Sequence, residues 1–458
     1  MNKKTLIIIA SIIGVLVFGM VGFTIVKGVI IKNDPFNYLM YSAFTNDYDA
    51  VDASIEGGLV LDEEAFEQNL AFMSQDPAAM AKFISEMMMG MQFTGDVKWK
   101  SDIKNQTFYL YEGIQLNYAN QPLLDFSLSL DEQMMRFGSK LIGGKSFELS
   151  KEDIFDMIEA SSGTDLSKLD YQKYIAVLDM EKDPLYKAFI KDYDGYADIM
   201  RNRMAALEKG DKRTVALSDG STVKCDTIIL NTNMNEMTLL LVEMLTEAKT
   251  DNELKALAKG KILEVLALFV SSGDYELLNV PLADVEAAIE SVETSFDEEW
   301  NALLDELIYT YQEAQYTLSQ TMPQESPYTI TFAIDRKYQI REMVYKTSVM
   351  GIGMEQRIVY NAFGKDVKLP EAPLSEDVIS IKALSEDEVY ANEVLLEILD
   401  TGVENVIESP ALNTIMSDLD SKSVGLPEAE RQGIVEMVNY FFDNKEELKE
   451  LLRSGFGL

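Results

Sequence analysis

No histidine occurs in this chain, and Cys225 is its one cysteine. Without imidazole there is no Ser-His-Asp or Cys-His nucleophile, no H-E-x-x-H zinc site and no histidine acid–base step. A single thiol excludes an internal disulfide and a cysteine-rich metal site. Basic residues are scarce as well: 40 Lys and Arg stand against 77 Asp and Glu, a formal net charge of −37. Such a chain is repelled by nucleic acid and by anionic lipid headgroups, and no nucleic-acid partner is expected. Low-complexity tracts and clear repeats are missing too.

What the chain does have is one long uncharged run. Met1-Asn2-Lys3-Lys4 leads into Thr5–Val26, and Lys27 and Lys32 close it. At 1.5 Å per residue the run reaches about 33 Å, enough to cross a hydrocarbon core of ~30 Å. Residues 5–26 are therefore read as a membrane-spanning anchor, and the membrane as the first partner. The alternative is a cleaved signal peptide. The run is longer than a secretory apolar region, and no small-residue cleavage pattern follows it. No cysteine lies at its end either, so a lipid-modified cysteine is not the anchor. Residues 1–32 hold four lysines and no acid, which leaves 36 basic and 77 acidic groups beyond them, a net of −41. The flanking lysines give little positive-inside bias. The acidic body is placed outside the cell membrane, because large domains translocate largely regardless of charge.

Beyond the anchor the pattern predicts an α+β protein: antiparallel β-meanders forming a curved sheet, packed with long helices. Three regions are expected: 1–32 as anchor, 33–372 as an α+β body, and 373–458 as a helical C-terminal region, with Leu369-Pro370-Glu371-Ala372-Pro373 at the boundary. Asp34–Asp47 reads as a short helix, and Val51–Leu61 as a strand pair or hairpin around Gly57-Gly58. Glu63–Met91 reads as helical. Val97 and Trp99 alternate with lysines, and Leu124, Phe126, Leu128 and Leu130 alternate with Asp125, Ser127 and Ser129. A period of two gives one apolar and one wet face, so Phe93–Leu149 is a β region. Ser150, with Asp153 three residues on, opens a helix. Thr214–Asn231 is a hairpin turned at Asp219-Gly220; Cys225 lies in its second strand as a small core residue. Helices follow over Asn233–Thr246 and Asn252–Ser271.

From Pro281 onward Leu282, Val285, Ile289, Val292, Phe296, Trp300, Leu303, Leu307 and Tyr311 recur at three- and four-residue steps. They mark one helix of about 40 residues with a single apolar stripe. Tyr328–Phe363 reads as three strands with a turn at Asp335–Tyr338. Ser385–Leu458 reads as helices broken near Ser409-Pro410 and Gly425-Leu426-Pro427.

Within this layout Ile334-Asp335, Val344-Tyr345-Lys346, Tyr360-Asn361-Ala362-Phe363-Gly364-Lys365 and Pro370 resemble the closing strands of the LolA/LppX-like lipoprotein-carrier fold. The leading helix followed by strands resembles that family's start. The overall layout resembles single-anchor membrane proteins of Gram-positive bacteria. The resemblance implies a strongly curved antiparallel sheet cupping helices around an apolar interior, and no catalytic residues. The long helical insertions, the C-terminal helices and the uncleaved anchor depart from the pattern.

Several short motifs invite chemistry, and each has a plainer explanation beside it. Ser139–Ser146 approaches a P-loop but lacks its first glycine, and strand residues follow it; a glycine-rich turn explains it. Ser101-Asp102-Ile103-Lys104 matches Ser-x-x-Lys, yet lies between strands. Asp297-Glu298-Glu299 and Asp305-Glu306 flank Trp300, as a carboxylate-based glycan hydrolase would require if they faced one cleft. Asp418-x-Asp420 and Asp192-x-Asp194-Gly195 echo calcium loops without the EF-hand spacing. Met80, Met87-Met88-Met89 and Met91 form one methionine cluster, either core filling or a plastic lining for an acyl chain or a partner helix.

No catalytic, cofactor or metal residue is singled out. Met87, Met88, Met91, Phe126, Leu128, Phe332 and Ile334 are the candidate lining for an apolar ligand, with Phe126 and Leu128 on one strand and Phe332 and Ile334 on another, all buried. The function expected is non-enzymatic binding of an apolar ligand, a lipid, or an envelope protein. A structural or interaction protein with a filled core is the alternative, and the glycan hydrolase a third.

Overall fold

The computed structural model describes residues 34–456 apart from 45–48, 71–73, 103–106, 163–167, 171, 178–183, 185, 187–193, 205, 322–326, 350 and 370–377. The expected anchor at 5–26 lies outside the described residues. Among those described, no helix is long and apolar enough to cross a membrane.

The chain is α+β, and its strands form one mixed sheet. Helix α1 (Pro35–Phe44) opens the body, with Asp34 Oδ1 accepting from the backbone N–H of Phe36 and Asn37. Strand β1 (Ala50–Leu61), helices α2 (Glu63–Leu70) and α3 (Pro77–Met88), and strands β2 (Met91–Asp102), β3 (Thr107–Tyr118), β4 (Gln121–Asp131), β5 (Met134–Gly138) and β6 (Ser146–Ser150) follow. Next come α4 (Lys151–Ser162), α5 (Gln172–Val177), α6 (Asp194–Arg203), β7 (Leu207–Ala216), β8 (Thr222–Asn233), α7 (Met234–Thr250), α8 (Asn252–Ser271), α9 (Asp274–Leu277) and α10 (Leu282–Thr321). Strands β9 (Pro327–Ile334), β10 (Ile340–Val349), β11 (Ile352–Phe363) and β12 (Val378–Ser380) precede α11 (Ile381–Glu386), α12 (Glu388–Ile407), α13 (Pro410–Lys422), α14 (Glu428–Asp443) and α15 (Lys445–Phe456).

The strand order is β12-β6-β5-β4-β3-β2-β1-β11-β10-β9-β8-β7. Every pairing is antiparallel except β12 with β6. Two meanders are thus sewn together by β1 and β11, about 300 residues apart in sequence.

Several elements differ from the sequence reading. Val51–Leu61 is not a strand pair or hairpin but part of one strand, with a register shift against β11 between Asp52 and Ala53. Gly57 is there for space rather than for a turn: a Cβ on it would lie 2.0 Å from the Phe93 ring on the neighbouring strand. The block Glu63–Met91 is two helices, because Asp76 caps a new helix with Pro77 at its first position, and Met91 already belongs to β2. The C-terminal region enters the sheet through β12.

Local chemistry explains most helix starts. Ser150 Oγ accepts from the N–H of Asp153, and Asp153 Oδ2 accepts from the N–H of Ser150, a reciprocal cap. Asn233 caps α7. In the β7–β8 turn Gly220 takes φ +81°, the left-handed value glycine favours.

One core joins the sheet to the helices. Ile228 and Ile334 from the sheet meet Tyr38 and Leu39 of α1, Leu245 and Ala248 of α7, Leu254 and Leu257 of α8, and Phe296, Trp300 and Leu304 of α10. The stripe of α10 packs on α7 and α8, and Trp300 Nε1 donates to Ala248 O at 3.0 Å. Burial ends near Ile308; Tyr311, on the same stripe, is exposed.

The opposite face of β7–β11 holds a smaller core of Val215, Cys225, Ala333 and Val359. Val215 on β7 and Val359 on β11 share it although three strands separate them, so this part of the sheet curls inward. Ser218 N–H, in the β7–β8 turn, reaches Asn361 Oδ1 on β11 at 2.9 Å. Inside the curl Glu342 has no exposed surface; Arg357 Nε lies 2.6 Å and Arg213 Nη1 2.8 Å from its carboxylate.

Candidate functional site

Register, rather than sequence proximity, defines the two candidate surfaces. Directly paired residues point to the same side of a sheet. One side carries the row Ile228, Phe332, Met343, Ile358, Ile55, Gly95, Ile114 and Phe126, one residue from each of eight neighbouring strands. This is the apolar face. At β8 and β9 the helical core covers it. At the Tyr118 end of β3, helices α3 and α13 close over it: Tyr118 O–H lies 2.8 Å from Asp418 Oδ2 and 3.5 Å from Met87 Sδ.

Between those two covers the face is open. Trp99, Phe108, Ile114, Leu124 and Phe126 all point to it and are 37–41% exposed. Glu112 is the acid among them, paired across the sheet with Val97 and Leu128. Soluble surfaces rarely gather so many large apolar side chains on one strand face.

The expected ligand lining is placed as follows. Phe126 and Phe332 do share a face and a register row. They are six strand spacings apart, about 29 Å along the sheet at ~4.8 Å per strand, so they do not line one cavity. Ile334 is fully buried in the helical core, and Phe332 packs against that core. Phe126 is exposed instead of buried, with its ring edge-on to Phe137 at 4.7 Å, and Leu128 is half-buried. Met87 and Met88 are half-buried at the end of α3, Met91 pairs with Tyr118, and Met89 is exposed. The methionines therefore sit where α3 and α13 meet the sheet, at the edge of the open face.

The other side of β1–β6 is polar. Ser54, Asp96, Gly113, Ser127, Gly138 and Ser146 form a row across six strands. They floor a trough of about 670 Å³. Tyr111 lies across the floor: a Cβ on Gly113 would come within 2.8 Å of its hydroxyl. Burial, with the Asp96 and Asp125 carboxylates nearby, pushes the Tyr111 phenol above its usual value. Arg136 is held by Glu148 at 2.6 Å, Lys145 by Glu397 at 2.6 Å, and Glu56 by Arg357 at 3.2 Å.

The remaining motifs resolve into structure. Ser139–Ser146 links β5 to β6 through a short 3-10 turn at Lys140–Ile142, with Gly143 and Gly144 at φ +71° and +76°. No helix N-terminus follows to cradle a phosphate. Ser101 lies in β2, and Lys104 falls outside the described residues. Trp300 is buried while Asp297, Glu298, Asp305 and Glu306 are exposed, Asp305 paired with Lys249 of α7, so these acids do not flank it in a cleft. Asp418 bonds Tyr118 and Lys422, and Asp420 pairs with Arg431. Asp192 lies outside the described residues. Among the described residues no group of three or more acids or cysteines is arranged to hold a metal ion. Cys225 is buried as expected, and burial pushes its thiol up to about 12.

Comparison with family models, with curated proteins and with solved structures returned no match.

Proposed function

We propose that this chain is a membrane-anchored extracytoplasmic binding protein without catalytic activity, and that it holds an envelope protein on the open apolar face of β2–β4. The observation that carries the reading is the set Trp99, Phe108, Ile114, Leu124 and Phe126, exposed together on one face. An open face of this kind suits a flat partner surface better than a small ligand, which sites usually enclose by 70–90% (an approximate range). Charge narrows the partner further. A body of net charge −41 beyond residue 32 disfavours a second copy of itself and fatty-acid carboxylates, and Glu112 within the face favours a partner carrying a basic residue.

The anchor belongs to the same reading. With residues 5–26 in the bilayer, residues 27–33 fully extended span at most about 25 Å, so the body works close to the membrane surface. A second reading, an acyl chain lying along the same face, draws on that nearness and on the methionines at its edge.

Photo-crosslinking tests the proposal. Benzoylphenylalanine placed at Phe126 in intact cells is expected to give one protein adduct of discrete mass, and placed at the exposed Glu298 on α10 it is expected to give none. Lipid adducts alone from Phe126 would replace the protein partner by the acyl chain. No adduct of either kind would overturn both.

A further inference from the structure

The polar trough on the opposite face has no part in that proposal. Its floor is made almost entirely of small side chains, so six adjacent strands leave space where larger residues would pack. That pattern costs the sheet packing contacts, and β-strands normally prefer larger side chains at such positions. The volume, about 670 Å³, falls within the roughly 300–1,000 Å³ typical of small-molecule sites.

Its chemistry is that of hydroxyl recognition. Tyr111 supplies a flat ring along the floor, and Thr94, Gln115 and Ser127 supply side chains that both donate and accept. The charges are mostly spent: Arg136, Lys145 and Glu56 are each in ion pairs, and Asp125 accepts from Ser139 Oγ and the N–H of Lys140. One buried hydroxyl of the lining is left over. Ser146 lines the trough at 6% exposure, and its Oγ has no hydrogen-bond partner. A buried hydroxyl left unsatisfied costs stability, and such a group in a native fold calls for an explanation. A bound ligand hydroxyl would satisfy it.

We infer that the trough over Ser54, Asp96, Gly113, Ser127, Gly138 and Ser146 binds a neutral, hydroxyl-rich ligand, a short oligosaccharide, with Tyr111 as its stacking platform. A strongly anionic ligand would meet Asp96 and Asp125, and a strongly apolar one would leave Ser146 Oγ unpaired. The site is on the opposite side of the sheet from the open apolar face, so it stands or falls independently of the partner proposed there.

Calorimetric titration of the full chain in lipid nanodiscs with chitotriose and with maltotriose tests it. Saturable binding of at least one is expected. Gly138→Val should weaken that binding about tenfold or more by filling the floor. Its Cβ has room, with Ser127 Oγ nearest at 3.4 Å and no left-handed backbone at that position. Tyr111→Ala should weaken it to a similar degree, while Trp99→Ser on the other face should leave it unchanged. A second measurement, the denaturant midpoint of each variant, separates lost binding from lost folding. No saturable binding of either sugar, or binding unchanged in a folded Gly138→Val chain, overturns the inference.

Discussion

Tyr118 and Asp418 are 300 positions apart, and the hydroxyl of one donates to the carboxylate of the other across 2.8 Å. Tyr118 is almost wholly buried, and this bond ties α13 to the sheet. Removing a hydrogen bond to a charged group costs roughly 1.5–3 kcal/mol. Tyr118→Phe is expected to lower unfolding free energy by about that amount in urea melts. Lys422 and Tyr118 hold the Asp418 carboxyl below its ordinary 3.8 against the opposing effect of burial. A depressed folded value means the unfolded chain takes up the proton first as pH falls. This stability is therefore present above 3.8 and lost as pH drops through the lower folded value. Asp418→Asn should flatten the acid limb of a stability–pH profile.

Glu342 is the deepest charge in the molecule's curled half, facing two arginines. Breaking a buried pair by removing one partner typically costs about 3–5 kcal/mol, since it strands the other charge. Glu342→Ala should reach that range, or fail to fold. A loss below about 0.5 kcal/mol, the scale of surface substitutions, would mean the curl does not depend on it.

The long helix gives a paired comparison. Leu303 is buried on its stripe and Glu306 is exposed. Leu303→Ala should cost about 2–5 kcal/mol through lost burial and a cavity. Glu306→Ala should stay within about 0.5 kcal/mol. Equal effects in denaturant melts would contradict the packing of α10 on α7 and α8.

Cys225 reports on the small core. Burial raises its thiol to about 12 from 9.0, so the unfolded chain loses that proton first at alkaline pH. Its contribution to stability is complete below 9.0 and is lost as pH rises toward about 12. Ellman's reagent at neutral pH should leave the native thiol untouched and react fully in denaturant. Fast reaction of the native protein would place Cys225 at the surface.

Local chemistry was legible in the sequence. The cap at Ser150, the Asp219-Gly220 turn, the forty-residue helix and the three strands of Tyr328–Phe363 all follow from short-range preference and period. What could not be read was anything set by register between distant strands. Gly57-Gly58 looks like a turn until Phe93 is known to lie over it. Phe126 and Phe332 carry the same strand signal, yet one is exposed and the other packs against a helical core. The β1–β11 pairing decides that, joining chain segments that share no local pattern. The trough was missed for the same reason. Gly113, Ser127, Gly138 and Ser146 are unremarkable in their own strands and become a floor only when the strands are aligned.

Accessibility of the open face in the cell distinguishes a covered face from a bare one. Phe126→Cys and, separately, Glu298→Cys are introduced with Cys225 left in its buried place, and a membrane-impermeant maleimide is applied to intact cells and to the purified full chain. Glu298→Cys is expected to label at similar rates in both, because the body is outside and α10 is free there. Phe126→Cys is expected to label readily when purified and about tenfold or more slowly on cells, because a partner covers the face. Equal labelling of Phe126→Cys in both settings would contradict the covered face, and labelling of Glu298→Cys only after cells are broken would contradict the extracytoplasmic body.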